Sequence, residues 1–302
     1  MENSKNQNAA ICLFTFNRLE ETVKTVEALK YNFLAKNYHL NVFSDGPRSE
    51  QEKLKVNKVR EYLHSIDGFK SVSINEAKQN KGLAKSIIDG VSRILEFNDS
   101  VIVLEDDLIT SPNFLDFMEQ SLDFYRNDEN IISISGFTLN MPSLPVNKDY
   151  YFGYRASSWG WGTWKDRWNS VDWEISDYEA FKVNREEKKR FKKGGSDLVR
   201  MLNNQMNGKI DSWAIRFCYN QFKKNQKTVF PTISKLSNIG FGDDATHTAG
   251  ATRFKSRLDY ENKRDFKFEK YSKMDQTLVK EFAYFFSTST ILLEKIKGLI
   301  KI

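Results

Sequence analysis

Short apolar runs alternate with helical stripes through the first half of the chain. "AICLFTF" (Ala10–Phe16) is a continuous apolar run, the pattern of a strand buried on both faces. "NRLEETVKTVEALK" follows, with Leu19, Val23, Val26 and Leu29 on one helical face. Leu40–Ser44 predicts a second strand ending in the turn-forming "DGPR", and a helix is expected around residues 50–65. A short strand at Ser71–Ile74 leads to "NKGLAKSIIDGVSRILEF", helical with Leu83, Ile87, Ile88, Val91, Ile94 and Leu95 in register. Then come a strand at Val101–Leu104, a helix from Pro112 to about Arg126 and a strand at Ile131–Ser135. Repeated βα units predict an α/β fold with a mostly parallel, Rossmann-like sheet, flanking helices and right-handed crossovers.

The strand at 101–104 runs straight into three carboxylates, Glu105, Asp106 and Asp107. Adjacent carboxylates repel, and each is costly to desolvate. Yet they follow a core strand, at the sheet edge where open α/β folds bind ligands. Ser111 and Pro112 already supply start signals for the next helix, so the acids are not needed for that. A hard cation would relieve the repulsion, taking oxygen ligands from carboxylates and from substrate phosphates. A solvated acidic loop is the plainer alternative. No G-x-G-x-x-G follows the first strand and no G-x-x-x-x-G-K-[ST] occurs, so a nucleotide would be held without a glycine cradle.

The second half changes character. "YRASSWGWGTWKDRWNSVDW" holds Trp159, Trp161, Trp164, Trp168 and Trp173, five of the chain's six tryptophans. Indoles fill cores well, and their faces also stack on sugar rings. Trp164 and Trp168, four apart, are expected on one helix, while the "SWGWG" turn is expected to line a pocket. "REEKKRFKKGG" reads as a solvated helix face and loop. "GKIDSWAIRF" sets a lone acid, Asp211, before an apolar helix, and "SNIGFGDDATHT" carries Asp243, Asp244 and His247 in a polar loop. His39 and His64 are expected to be structural. From Met274 the tail reads as a basic amphipathic helix that docks on the body or touches a membrane surface.

Composition narrows little further. At 302 residues and 40% hydrophobic content, the chain suits one large domain or a domain with a lobe. A mean hydropathy of −0.58 and the polar opening "MENSKNQNAA" lead to the expectation of a soluble, cytoplasmic protein without a signal peptide. Two isolated cysteines, Cys12 and Cys218, give neither a disulfide framework nor a metal spacing. The net charge of +6 suits phosphate-bearing substrates or anionic lipid, and no nucleic-acid-binding motif accompanies it.

In this order, "FTFNR", "VFSDGPR", "VIVLEDDLITSPNFLDFM", "ISISGF", "SWGWGTW", "IDSWAIR" and "GFGDDATHT" resemble the GT-A family of nucleotide-sugar-dependent glycosyltransferases. The nearest likeness is to N-acetylglucosaminyltransferase I and to bacterial transferases that build surface polysaccharides, over roughly Ala10 to Thr248. The resemblance implies a GT-A fold with a donor-binding half over 1–135, an acceptor and catalytic half over 136–250 and a helical tail over 251–302. It implies Mn2+ or Mg2+ as cofactor, with Asp107 as direct ligand and Glu105 and Asp106 supporting the ion's water shell and the donor's ribose or sugar. Arg18 and Asp45 match positions that hold the nucleotide, Asp45 near the base, which favours a UDP-sugar. Lys81 and Lys85 match more loosely a region near the phosphates. Asp211 matches the base-bearing loop of inverting relatives, "IDSW" here against a "WDDW"-like pair of acids there. His247 matches a loop near the metal or diphosphate, with Asp243 and Asp244 as acceptor residues or fallback bases, and Trp159, Gly160 and Trp161 line the sugar pocket.

The expected activity is inverting sugar transfer to an undecaprenyl-diphosphate-linked glycan, for capsule or O-antigen, at the cytoplasmic face of a bacterial membrane. A retaining enzyme would use the same acidic triplet. Three other classes stand beside this expectation. A sugar nucleotidyltransferase would need a glycine- and basic-rich loop where "FNRLEE" stands. A non-catalytic carbohydrate- or lipid-binding protein would keep the body without the chemistry, and a nucleic-acid binder is supported by mild basicity alone.

Overall fold

Every residue of the first strand, β1 (Ala10–Thr15), is buried, so both of its faces have to be covered. The computed structural model describes residues 8–240, 254–287 and 289–290. After β1 come α1 (Leu19–Lys30), β2 (His39–Ser44), α2 (Glu50–Leu63), β3 (Ser71–Glu76), α3 (Leu83–Leu95), β4 (Ser100–Glu105) and β5 (Leu108–Thr110). The chain continues through α4 (Phe114–Phe124), β6 (Ile131–Ser135), β7 (Tyr150–Gly153), β8 (Trp161–Trp164), α5 (Lys165–Asn169), α6 (Tyr178–Val183) and α7 (Arg185–Phe191). It closes with α8 (Leu198–Met206), α9 (Trp213–Lys223), β9 (Lys227–Pro231), β10 (Leu236–Asn238) and α10 (Gln276–Phe285).

Eight strands form one sheet in the order β3-β2-β1-β4-β8-β6-β9-β7. Only β8 and β7 run against the rest, so the sheet is mostly parallel. The period of two along each strand sorts the core into two layers. Ile11, Leu13, Ile102 and Leu104 face Val26, Leu29, Val59, Leu63 and Phe117 of α1, α2 and α4. Cys12, Phe14, Val101 and Val103 face Ile87, Val91, Leu202, Ile215 and Phe217 of α3, α8 and α9. The expected mixed α/β architecture, a mostly parallel sheet flanked by helices, is what the chain adopts.

Two local expectations differ. Trp164 ends strand β8 and donates its indole N–H to Leu122 O at 3.0 Å, whereas Trp168 lies on α5 against Trp161, so the two do not share a helix. Four-residue spacing carries no helical meaning when an element boundary falls inside it. The ribbon of β5 and β10, paired antiparallel from Leu108↔Asn238 to Thr110↔Leu236, was too short to be read from three apolar-polar positions.

A strap then ties the last part of the chain across α4. Asn113 donates to Asp259 at 3.0 Å and to the carbonyl of Lys263 at 2.9 Å, and Tyr125 donates to Glu269 O at 2.8 Å. Phe266 packs edge-on against Phe117. The ammonium of Lys235 pairs with Asp259, both almost fully buried. Helix α10 docks on the body through Leu278 and Phe282, with Phe282 5.3 Å from the Phe230 ring. The lysines expected on its basic continuation, Lys295, Lys297 and Lys301, lie outside the described residues.

Breaking one side of a buried pair leaves a bare charge, which costs about 3–5 kcal/mol. Asp259→Ala is expected to lower unfolding free energy by that order in urea, and Lys235→Met with Asp259→Leu to recover most of it. Equal losses in the single and double variants would mean that packing of the strap, not charge, sets the cost.

Candidate active site

The carboxyl ends of β1, β2 and β4 open into a cleft of 1610 Å³. Thr15 and Phe16, Asp45, and Glu105 to Asp107 form its floor on one side. The turn that carries the acids is held from below. Thr25 donates its hydroxyl to Asp106 O at 2.9 Å and accepts from Leu108 N at 3.1 Å. The β5–β10 ribbon then brings Asn238 and Gly240 over the acids. Asn238 donates to Asp107 Oδ1 at 3.2 Å, and Ile239 N donates to Asp107 O at 2.8 Å. A Cβ on Gly240 would stand 2.2 Å from Asp107 Oδ2, so any larger residue here would push the carboxylate aside.

Arg18, just before α1, reaches across the acids. One Nη2 pairs with Asp106 and lies 3.0 Å from Asp107 Oδ2. Asp106 also accepts from Phe16 N at 3.3 Å. The Glu105 carboxylate makes no hydrogen bond or ion pair among the described residues. Burial, and then repulsion from Asp107 and Asp106, push its carboxyl up to about 8 against the pull of Arg18. Burial pushes Asp106 up to about 6 although Arg18 opposes it.

Three carboxylates thus share one paired cation. Among the described residues no three His, Cys, Asp or Glu side chains converge into a protein-only metal cage. That fits the habits of Mg2+ and Mn2+, which take one or two carboxylates and complete their shell with water and phosphate. The donor set is hard oxygen, it carries surplus negative charge, and it faces the cleft, so these residues suit such a cation.

The other sequence candidates fall in three groups. Asp45 is on the cleft floor, but its carboxylate is engaged: it accepts from Gly46 N, Lys81 N and Gly82 N at 2.8, 2.9 and 3.1 Å and from Asn80 at 3.0 Å. It shapes the loop ahead of α3, and Asn80 is the side chain beside it that lines the cleft. Lys81 and Lys85 turn to Asp89, each at 3.2 Å, and lie off the cleft, because the helical i,i+4 spacing offers Lys85 a closer anion.

On the far side, Trp159 lines the cleft with its ring edge-on to Phe137 and Phe254. Trp161 does not. It is buried in β8, stacked on Trp213 at 4.6 Å and on Trp168 at 5.6 Å, because the positive φ of Gly160 bends the backbone between it and Trp159, which lies outside the strand. Gly160 does not line the cleft either. Its φ is +52°, and a Cβ would meet Leu236 at 2.0 Å.

Asp211 lines the cleft ahead of α9, exposed and paired through Oδ1 with Arg216 at 2.8 Å. Ser212 caps that helix by accepting from Ile215 N, and its carbonyl accepts from Arg216 Nε at 3.2 Å. Asp211 Oδ2 has no hydrogen-bond partner among the described residues. Asp243, Asp244 and His247 lie outside the described residues.

Sequence reasoning missed several groups. Arg155 forms a fork with Asp197 at 2.8 and 3.1 Å, and its guanidinium lies 3.9 Å over the Phe286 ring, all lining the cleft. Asn238, Gly240 and Arg216 were within quoted segments, but no local pattern pairs them with acids distant in the chain or marks the Arg216 turn.

No protein-family model matches the sequence, and no curated protein matches it. Among solved structures, one likeness is to a mannosyltransferase, PcManGT from Pyrobaculum calidifontis in complex with GDP-Man and Mn2+. It has 10% identity over 44% of this chain and 36% of that one, with a TM-score of 0.32. Another is to TarS of S. aureus, at 10% identity over 74% of this chain and 35% of that one, with a TM-score of 0.37. This chain spans about a third of the length of each. At that distance neither says what this chain binds, and the chemistry has to be read from the cleft's own side chains.

Proposed function

We propose that this chain is a divalent-cation-dependent glycosyltransferase that moves a sugar from a UDP-sugar to a hydroxyl of a lipid-linked glycan, with inversion. The observation that carries the reading is the acidic triplet. Three carboxylates end a buried strand on the floor of the 1610 Å³ cleft, with Arg18 across two of them and Asp211 on the cleft's other wall. A GT-A transferase in surface-polysaccharide assembly, with an undecaprenyl-diphosphate-linked acceptor at the inner membrane face, is the form of the proposal that the sequence motifs favour.

Asp107 would hold the cation, with Glu105 and Asp106 behind it. When bound, Mn2+ or Mg2+ would neutralise charge on the departing diphosphate. Arg18 offers the same diphosphate a planar pair of donors. The loop tied by Asp45, with Asn80, frames the nucleoside end. Asp211 would take the acceptor's proton through Oδ2, while Arg216 fixes the carboxylate through Oδ1. An acceptor between Trp159 and Trp213 would stand on aromatic surface that sugar faces pack against.

Three outcomes test this. Asp107→Ala is expected to abolish Mn2+-dependent UDP binding in calorimetry with an unchanged circular dichroism spectrum; binding equal to wild type would remove Asp107 as ligand. Asp211→Asn is expected to keep donor binding and to lose transfer by about 10²–10⁴-fold. Full transfer in that variant would put the base elsewhere.

The third is a pH dependence. Glu105 and Asp106 hold protons in the folded, metal-free chain at pH values where the unfolded chain has released them. Folding stability should therefore fall as pH rises from about 4 to about 8. Mn2+ competes with those protons, so the rise in Tm that it causes should be larger at pH 8 than at pH 6. A rise that is the same at both would mean that these carboxyls do not meet the ion.

A further inference from the structure

The seat that a cation would take is already covered by a side chain of the protein. Arg18 pairs with Asp106 and stands 3.0 Å from Asp107 Oδ2. Asp107 Oδ1 is taken by Asn238, so Oδ2 is the oxygen that remains for an ion, and it is the one Arg18 holds. The backbone of Gly240 closes the opposite side: a Cβ there would lie 2.2 Å from Asp107 Oδ2 and 3.1 Å from Arg18 Nη1. The guanidinium is not locked in place. Its side chain is 27% exposed, against 6% and 13% for the two acids, and its hydrogen bonds among the described residues go to those acids alone.

We propose that Arg18 acts as a stand-in cation that couples divalent-metal binding to binding of a nucleoside diphosphate. A metal ion and a guanidinium on one carboxylate oxygen repel each other, so Arg18 opposes the ion while the cleft holds no nucleotide. A diphosphate reverses the sign. Its oxygens accept from the guanidinium and ligate the ion together, so Arg18 leaves the carboxylate for the phosphate and both cations are satisfied. The chain then binds the metal weakly alone and tightly with nucleotide, and by reciprocity the metal tightens the nucleotide by the same factor. This role rests on the proposed metal and donor site, in which Arg18 is a ligand-binding residue.

The test is Mn2+ titration followed by electron paramagnetic resonance of free Mn2+, on the whole chain, alone and with saturating UDP or GDP. Wild type is expected to bind Mn2+ at least about tenfold more tightly with nucleotide than without. Arg18→Gln removes the charge and keeps much of the length. It is expected to bind Mn2+ alone about tenfold more tightly than wild type, and to lose most of the nucleotide's effect. Arg18→Lys, which keeps the charge, should behave as wild type toward Mn2+ alone. If Arg18→Gln leaves both the affinity for Mn2+ alone and the nucleotide effect unchanged, the coupling role falls while the metal site stands. If neither wild type nor Arg18→Gln binds Mn2+ under any condition, the metal site itself falls, and the inference with it. Asp107→Asn in the Arg18→Gln background separates these cases, since it should abolish the tightened binding.

Discussion

Burying β4 on both faces is the constraint from which the site follows. A strand covered by α1, α2 and α4 on one side and by α3, α8 and α9 on the other meets solvent only at its ends. The acids at its carboxyl end are therefore half in the core. Glu105 is raised to about 8 and Asp106 to about 6, chiefly because water has been taken from them. Such acids need positive charge, and Arg18, delivered by the turn after the neighbouring strand β1, supplies part of it. The parallel pairing of β1 with β4, Phe14 opposite Glu105, sets that meeting.

The two walls of the cleft differ in kind. The wall with the acids is built from strand ends and short turns, and its polar groups are tied to backbone, as in the loop that Asp45 gathers from Asn80 to Gly82. The facing wall is aromatic and charged in patches, with Trp159, Phe254, Phe282 and Phe286 beside the Arg155–Asp197 fork. Rigid polar turns suit a nucleotide whose groups are fixed. Aromatic faces with a few charges suit a sugar presented from solution.

Much of the first half was legible because each element there declares itself locally. The run "VIVL", short, rich in β-branched residues and set between helical stripes, reads as a buried strand, which carries the acids after it to the sheet edge. Residues 150–240 were harder, since their roles come from contacts distant in the chain. Trp161 and Trp159 sit two apart, yet one is core and the other cleft, because Gly160 bends the backbone between them. Lys85 matched a phosphate region only loosely in sequence, and on the helix it pairs with Asp89 one turn away. Asp45 was read as a base contact, and its carboxylate is spent on three backbone N–H groups that no sequence pattern announces.

The strap and α10 have one more consequence. Phe254, Phe282 and Phe286 complete the aromatic wall, and all three come after residue 253, held down by Lys235 against Asp259 and by Asn113 on the strap's carbonyls. The acids themselves lie before residue 110, and the ribbon that covers them, with Asn238 and Gly240, before residue 254. Everything that holds the acids therefore leaves the ribosome before the aromatic wall is complete. A chain cut short before residue 254 would keep the acids yet present them in an open groove.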